Sequence, residues 1–290
     1  MSEREGKGTV ESRKVYLLDP LTDARWAGLV ERHSAASVFH SRGWLRALQM
    51  TYGYEPLAMT KSRPTEPLTN VLLCCVVRSW VTGDRVVSLP FSDHCEPLVE
   101  NITQLRTLCA HLETHRRTQG WKYAEMRTSR AFLGVAESFR ECTVYQWHRL
   151  DLRSSLDALY KGFHKDCIRR RIRHAEGQGL RYEEGGNESL VRSFYDLIVL
   201  MRLRKYLPPQ PFEWFHNLIA CMGKDVCIRV AFKGDRPVAG ILTMNHGKTM
   251  YYKYGGSDAR FNHLGATPCC SGTPSKLRNQ LGWSALCICS

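Results

Sequence analysis

The stretch DVCIRVAFKGDRPVAGILTMNHGKTMYYKYGGS, residues 225–257, decides how the second half of this chain folds. It holds three runs rich in valine, isoleucine, threonine and tyrosine, separated by the polar segments KGDRP and NHGK. Runs of this composition, bounded by glycine, asparagine and aspartate, predict strands joined by tight turns. We therefore expect an antiparallel meander of three strands.

Helical patterns precede this meander, and the first half of the chain shows a similar alternation of strands and helices. Residues 154–179 and 188–206 have apolar side chains at helical spacing, and 208–223 begins with prolines, as helices often do. Residues 69–90 have the pattern of a hairpin that turns at 82–84. This order of elements predicts an α/β (α+β) protein with mixed, largely antiparallel sheets flanked by helices.

The length of 290 residues is enough for two domains. We expect a flexible tail at 1–12, an N-terminal domain at 13–150 and a C-terminal domain at 151–268. The last segment, 269–290, contains two glycines, a proline and several cysteines, with no sustained helical period. This pattern predicts an irregular tail.

The charge of the chain indicates its class of partner. Lysine and arginine outnumber the acidic residues by 41 to 28, a net charge of +13. The resulting positive field favours nucleic acid, phosphorylated ligands or acidic lipid headgroups. The sequence shows neither a secretory signal nor an apolar run long enough to span a bilayer, so we expect a cytoplasmic protein without a transmembrane segment. Its oligomeric state is left open.

The twelve cysteines are scattered, and none has the C-x-x-C spacing of a zinc site. In a cytoplasmic protein this distribution favours reduced thiols and no bound metal. No spacing of serine, cysteine, histidine and aspartate indicates a covalent nucleophile.

Residues 165–180, KDCIRRRIRHAEGQGL, concentrate basic side chains on a predicted helix. The apolar positions form one face, so that Lys165, Arg169 and Arg173 fall mostly on the other. A row of charges is usually no more than a solvated surface. Here, however, arginine dominates, and between residues 165 and 175 only Asp166 can neutralise it. Guanidinium groups also suit bidentate capture of phosphate. Both interpretations stay open.

Six segments occur in the order seen in FemAB-like proteins of the GNAT superfamily, and the chain resembles these proteins over roughly residues 15–268. The segments are SRGWLRALQMTYGYEP, SLPFSDHCEPLV, IRRRIRHAEGQGL, MRLRKYLPPQPFEWFHNL, RPVAGILTMNHGKTMYYKYGGSD and FNHLGATP. The resemblance implies two tandem GNAT-like domains that pass an acyl or aminoacyl group from acyl-coenzyme A or aminoacyl-tRNA to an amine. No tightly bound cofactor is implied. Both donors are polyanions, so Lys165, Arg169 and Arg173 are expected to bind the phosphates of the carrier.

The resemblance also implies residues that bind an anionic acceptor. The segment WLR points to Arg46, and RLRKYLPPQP points to Arg204 with Arg202 as its neighbour. Arg46 and Arg204 are expected at one cleft between the two halves. The alternatives are a surface arginine on a helix and a C-terminal arginine that meets the helix dipole.

Two further segments resemble acceptor-binding parts of the family. The channel implied by YYKYGGSD is lined by Tyr252, Tyr254, Ser257 and Asp258. Alternating aromatic residues on a strand otherwise belong to the core. In LPFSDH, Ser92 and Asp93 resemble the loop beside the acceptor, with Asp93 as a base, although an aspartate there also suits a turn.

The chain departs from the family after LGATP. FemAB-like proteins continue into a long amphipathic helix, further strands and a late Phe-Lys motif, whereas this chain reads CCSGTPSKLRNQLGWSALCICS from residue 269. We expect that the natural reading frame is lost near residue 268 and that the second domain is incomplete. FNHLGATP, with its single glycine, also stands where GNAT proteins carry their pyrophosphate loop, which slightly favours a tRNA-type or atypical donor.

These features together predict an acyltransferase in which the amine attacks the donor directly, with a cell-envelope precursor or a polysaccharide amine as acceptor. A non-catalytic basic nucleic-acid-binding protein and an inactive truncated remnant are the alternatives. A nucleic-acid-binding module explains the charge but not the LPFSD and LPPQP segments, so the enzyme is favoured.

Overall fold

The computed structural model of the chain describes residues 14–129, 139–266 and 285–289. The chain divides into two compact units, with the boundary between residues 144 and 145 rather than at 150. The architecture is mixed α/β, with largely antiparallel sheets flanked by helices, as the sequence predicted.

Unit one contains a five-stranded sheet in the order β1-β2-β3-β4-β5. Neighbouring strands are antiparallel except β4 and β5, which are parallel. The strands are β1 (Tyr16–Leu18), β2 (Glu55–Thr60), β3 (Leu72–Val77), β4 (Arg85–Val87) and β5 (Ala124–Glu125). The α-helices among the described residues are α1 (Trp26–Arg32), α2 (Arg42–Tyr52) and α3 (Ile102–Thr118).

The core of unit one forms around β3, whose sequence LLCCVV is buried at every position. A continuous apolar run of this kind is typical of a strand covered on both faces. Helix α3 packs its apolar face on this sheet. In α2 the apolar side chains of Trp44, Leu45 and Leu48 are buried, whereas Met50 is exposed.

Unit two contains a six-stranded sheet in the order β6-β11-β10-β9-β8-β7. All pairs are antiparallel except β10 and β11. The strands are β6 (Trp147–Asp151), β7 (Arg181–Gly185), β8 (Val226–Lys233), β9 (Arg236–His246), β10 (Thr249–Ser257) and β11 (Ala285–Cys289). The α-helices among the described residues are α4 (Leu156–Gly162), α5 (Arg170–Glu176), α6 (Glu188–Arg204) and α7 (Phe212–Met222).

The meander predicted for residues 225–257 is confirmed as β8, β9 and β10. One face of this sheet receives α6, because Phe194 and Leu197 of that helix lie where a side chain at Gly240 would be. The opposite face receives α5, whose Ile172 and Ala175 form a cluster with side chains of β7 and its flank. Unit two is therefore a sheet between two helical layers.

The helix predicted over 154–179 is interrupted in the structure. Helix α4 ends at Gly162, Phe163 has extended backbone dihedrals, and a π-helical turn, Lys165–Arg169, leads into α5. Glycine is a poor residue for a helix interior, so Gly162 is the sequence signal for this break.

Two strands of unit two differ from the expected arrangement. Strand β6 pairs with β11 in unit two, although the sequence placed it at the end of the first domain. Within 269–290, where an irregular tail was expected, the residues that the structure describes are Ala285–Cys289, which form β11 between β6 and β10. The lost reading frame expected near residue 268 stays a prediction, because 267–284 lies outside the described residues.

Candidate functional site

Strands β10 and β11 are the parallel pair in the sheet of unit two. The parallel register between them runs from Thr249↔Ala285 to Tyr252↔Ile288. Beyond that point β11 continues in register with β6 to Cys289↔Trp147, while β10 continues beside β9 to Ser257. Among the described residues, the second half of β10, Tyr254–Ser257, therefore pairs with β9 and not with β11.

A register shift in β10 lies at the same place. Tyr252 pairs with Thr243 and Tyr254 pairs with Leu242, so Lys253 is an extra residue in the strand. Cross-strand partners share a face of the sheet, and neighbouring residues of β9 face opposite sides. The two tyrosines, predicted to line one channel, therefore lie on opposite faces of the sheet. The sequence carries no signal for this shift.

The surroundings of the two tyrosines agree with this placement. The Tyr252 hydroxyl lies over Gly255, at the position where a β-carbon would be. On the other face, the indole Nε1 of Trp214 donates a hydrogen bond of 2.9 Å to the Tyr254 hydroxyl, and the Tyr254 ring meets Phe215 edge to face. Tyr254 is thereby fixed against α7.

The turn that follows β10 is stabilised by hydrogen bonds of Ser257 and Asp258. The Ser257 hydroxyl donates to the Asn262 side chain at 2.9 Å. The buried carboxylate of Asp258 accepts hydrogen bonds from the backbone and the guanidinium of Arg260, and the guanidinium holds the pKa of Asp258 below its usual value. Asp258 therefore has a structural role at the exit of the strand.

Two glycines bring helices close to this end of β10. A β-carbon at Gly256 would lie 2.7 Å from the Leu197 carbonyl oxygen of α6. A β-carbon at Gly265 would lie 2.7 Å from the Arg171 carbonyl oxygen of α5, and Gly265 has a φ of +70°, which favours glycine. The second contact joins the basic helix to the segment that follows β10.

The basic segment, which we define as Lys165–Glu176, presents the cations predicted to bind a carrier. Lys165 and Arg173 are exposed, and Arg169 is partly buried. None of the three forms an ion pair within the described part of the chain. The buried Nε atom of Arg169 has no hydrogen-bond partner among the described residues. Among the described residues, no acidic side chain pairs with this guanidinium.

The end of α6 carries the second predicted cluster, which we call the α6 cap (Arg202–Leu207). Tyr206 donates its backbone N–H to the Leu203 carbonyl and Leu207 donates to the Arg202 carbonyl, a Schellman motif. Arg204 is exposed, and the buried Nε atom of Arg202 has no hydrogen-bond partner among the residues described.

Tyr206 is a binding candidate that the sequence analysis missed. It occupies the left-handed position of the Schellman motif with a φ of 55°, where glycine is usual. Its side chain is 95% exposed, so the ring contributes almost nothing to the core. A strained backbone that displays an aromatic side chain beside Arg202 and Arg204 is more readily explained by binding than by folding.

In unit one, Ser92 and Asp93 lie in a strained loop, Ser88–Leu98, which we call the polar loop. Leu89 and Phe91 have positive φ values of 134° and 60°. The buried Ser92 hydroxyl donates to the Leu89 carbonyl at 2.9 Å and so stabilises the turn, while Asp93 is partly exposed.

Buried polar side chains stabilise the polar loop. The Glu96 carboxylate accepts a hydrogen bond from the Ser129 backbone and lies 3.6 Å from His94 Nδ1. Burial alone would raise the pKa of Glu96, but the nearby imidazole of His94 and the hydrogen bond from Ser129 lower it below its usual value. Glu96 is therefore held as a carboxylate.

The loop also contains a cysteine–histidine contact that sequence spacing did not indicate, with Cys95 Sγ 3.5 Å from His40 Nε2. The Ser37 backbone N–H donates to His40 Nδ1, which places the imidazole proton on Nε2, where it can donate to the Glu96 carbonyl at 3.0 Å. Such an imidazole cannot accept the thiol proton. Burial raises the pKa of Cys95 well above its usual value, so the pair is structural.

Arg46, the remaining predicted acceptor residue, is exposed on α2 between the buried residues Leu45 and Ala47. The helix is capped by the Ser41 hydroxyl, which accepts a hydrogen bond from the Trp44 backbone. The position of Arg46 thus suits contact with a ligand and needs no partner for stability.

The described residues offer neither a metal site nor a membrane-spanning helix. No group of three or more histidine, cysteine, aspartate or glutamate side chains is arranged to hold a metal ion there. Nor does any helix in that part of the chain combine the length and apolarity needed to cross a bilayer.

Comparison with known proteins identifies the fold. Residues 163–270 match the family described as an acetyltransferase (GNAT) domain. The structure is similar to that of FemX, with a TM-score of 0.64 and 12% identity over 92% of this chain and 86% of the other. No curated protein sequence matches the chain.

Two further solved structures share this fold. One is a tandem GNAT protein from the clavulanic acid biosynthesis pathway (TM-score 0.55, 10% identity, 96% of this chain and 90% of the other). The other is the C-terminal domain of a putative lysylphosphatidylglycerol synthetase from Agrobacterium fabrum (TM-score 0.55, 12% identity, 91% of this chain and 76% of the other). The tandem GNAT arrangement predicted from the sequence is thereby confirmed.

Proposed function

We propose that this chain is an enzyme that transfers an acyl or aminoacyl group to an amine. The proposal rests on the match to a GNAT acetyltransferase domain and on the FemAB-like fold. The donor is acyl-coenzyme A or aminoacyl-tRNA, and it is a substrate rather than a resident cofactor. The acceptor is an amine of a cell-envelope precursor or a polysaccharide, and the reaction takes place in the cytoplasm, where both donors are made.

The observation that carries this proposal is the packing of Gly265 on the Arg171 carbonyl. This contact puts the basic segment next to the residues that leave β10, so one region combines cations with the central strand of the GNAT domain. Lys165, Arg169 and Arg173 would bind the phosphates of the donor, because guanidinium and ammonium groups without acidic partners attract polyanions.

The acyl arm of the donor would lie along the second half of β10, beyond its pairing with β11. An extended chain can lie along a strand, and positioning the carbonyl in this way is a large part of catalysis of acyl transfer. The amine nitrogen then attacks the carbonyl carbon. A C–N bond forms, the C–S bond of the thioester or the C–O bond of the charged tRNA breaks, and the thiol or hydroxyl leaves with a proton.

Arg202 and Arg204 of unit two would bind an anionic acceptor, with the Tyr206 ring as an additional contact, and Arg46 is the predicted acceptor residue of unit one. Asp93 would take the proton that the attacking amine loses and pass it to the leaving thiol or hydroxyl. That Arg46 and Arg204 serve one acceptor stays a prediction. Four of the predicted acceptor residues would mainly stabilise β10 and the turn after it, because their side chains contact neighbouring residues. These residues are Tyr252, Tyr254, Ser257 and Asp258.

The purified chain should be offered labelled acyl-coenzyme A and labelled aminoacyl-tRNA in parallel, each with a mixture of amine acceptors. We expect transfer of the label from one of the two donors. A basic nucleic-acid-binding protein without chemistry would instead bind RNA and DNA alike, with a steep dependence on salt, and would transfer nothing. The absence of both transfer and saturable donor binding would contradict the proposal.

A further inference from the structure

The hairpin tip between β3 and β4, Arg78–Arg85, is a well-ordered turn. The Gly83 N–H donates to the Ser79 carbonyl at 2.8 Å, and the Ser79 N–H donates to the Asp84 carboxylate at 3.1 Å. The Thr82 N–H and hydroxyl both donate to the Ser79 hydroxyl. These hydrogen bonds fix the backbone of the tip without the help of its apolar side chains.

Two apolar side chains project from this turn. Trp80 is 98% exposed and Val81 is 70% exposed. An exposed tryptophan contributes little to folding, and it favours association of the protein with other surfaces. Because hydrogen bonds of other residues stabilise the turn, the two apolar side chains are not needed for its stability.

Cationic side chains surround the tip. Arg85 donates to the Thr82 hydroxyl at 2.9 Å, and Lys122 approaches the Thr82 carbonyl at 3.4 Å. Arg78 is exposed and paired with Glu55 and Asp84. No ion pair of Arg85 or Lys122 occurs in the described residues, so the rim of the tip carries an excess of positive charge.

We propose that the hairpin tip inserts Trp80 and Val81 into the headgroup region of an anionic lipid bilayer. Tryptophan favours the interface between lipid and water, and nearby lysine and arginine side chains are attracted to acidic headgroups. Two side chains on a protruding turn cover far less area than the roughly 800 Å² per partner of a stable protein interface. The net charge of +13 acts in the same direction. This inference is independent of the proposed acyl transfer.

The test is co-sedimentation of the full chain with lipid vesicles. Wild-type protein should bind vesicles of phosphatidylglycerol and phosphatidylcholine, bind pure phosphatidylcholine more weakly, and dissociate at high salt. Trp80→Ala should lower the partition coefficient about tenfold, since partial burial of a large apolar side chain is worth about 1.5 kcal/mol. The matched control, Met50→Ala, removes another exposed apolar side chain of unit one and should bind as wild type does.

Two measurements keep the result interpretable. The thermal unfolding midpoint of Trp80→Ala should equal that of the wild type, because an exposed side chain is removed. The Trp80 emission of the wild type, obtained by subtracting the Trp80→Phe spectrum, should shift to shorter wavelength when anionic vesicles are added. The proposal is overturned if the wild type does not bind vesicles, or if Trp80→Ala binds them as tightly as the wild type does. It is also overturned if Trp80→Ala loses binding to a protein or to RNA but keeps its binding to vesicles.

Discussion

The polar loop of unit one and the basic segment of unit two are both rich in ionisable side chains, but they differ in how these side chains are satisfied. In the polar loop, the buried Glu96 carboxylate accepts a hydrogen bond from Ser129 and lies 3.6 Å from His94, and the His40 imidazole accepts from Ser37 and can donate to the Glu96 carbonyl. In the basic segment, Arg169 has a buried Nε atom without a partner among the residues described.

This difference separates a structural role from a binding role. A buried polar group that is fully bonded stabilises the fold, and removing it costs free energy of folding. A cation that is held in place without an acid adds little to stability and is available to an anionic ligand. Substitutions in the polar loop should therefore change stability, whereas substitutions in the basic segment should change binding.

The largest effect is expected for the double substitution Arg169→Ala and Arg173→Ala. Loss of two charge-assisted contacts with phosphate should weaken donor binding about a hundredfold, from about 1.5 kcal/mol for each contact. Calorimetric titration with the donor measures this change. Arg192→Ala is the matched control, because Arg192 is already paired with Glu188 and should bind donor as the wild type does.

Glu96→Gln is the corresponding test in unit one and should lower the free energy of unfolding at neutral pH by about 2 kcal/mol. Because folding lowers the pKa of Glu96, its stabilising effect is present above its usual value of 4.5 and is lost as the pH falls through the lower folded value. Urea unfolding at several pH values should thus show the two proteins converging in acid. The control Glu31→Gln changes an exposed side chain and should leave the free energy of unfolding unchanged. If Glu96→Gln lost donor affinity but no stability, Glu96 would have a binding role and not a structural one.

A smaller effect is expected at the α6 cap. Tyr206→Gly should raise the free energy of unfolding by about 0.5 kcal/mol, since it relieves the left-handed strain at some cost in chain entropy. Tyr206→Ala keeps the strain and should not gain this stability. Both variants should weaken acceptor binding equally, as measured by the Michaelis constant for the acceptor. Normal acceptor binding by both would remove Tyr206 from the site.

The smallest effect on activity is expected for Cys95→Ser, because Cys95 is buried and its pKa is raised. Transfer activity should stay within about twofold of the wild type, and the loss of stability should be about 1 kcal/mol. In the native wild type, a thiol reagent should modify the exposed Cys142 and leave Cys95 unmodified, which peptide mass spectrometry would reveal. Rapid labelling of Cys95 together with loss of activity on Cys95→Ser would show a catalytic thiol.

The sequence predicted the parts of the fold that depend on local pattern. Alternating β-branched residues and turn signals located β8, β9 and β10, and helical periodicity identified the buried positions Ile172 and Ala175. It did not predict that β6 and β11 pair, because their residues are more than a hundred positions apart and pairing over such a distance depends on tertiary contacts.

The site was predictable only in part. Composition pointed to the basic segment, whose excess of arginine and lysine over acidic residues is visible in the sequence. The separation of Tyr252 and Tyr254 onto opposite faces arises from a register shift that no residue type signals. The contact between His40 and Cys95 joins residues 55 positions apart, and the exposure of Tyr206 depends on how α6 ends.

Hydrogen exchange of the wild-type protein tests the central claim most directly, because it shows which amides a bound donor protects. Saturating coenzyme A or charged tRNA, used separately, should slow exchange in residues 164–176 and 253–266 for one of the two donors. Donor binding that leaves both segments unprotected and slows exchange only within residues 14–129 would contradict the assignment of the donor site to unit two.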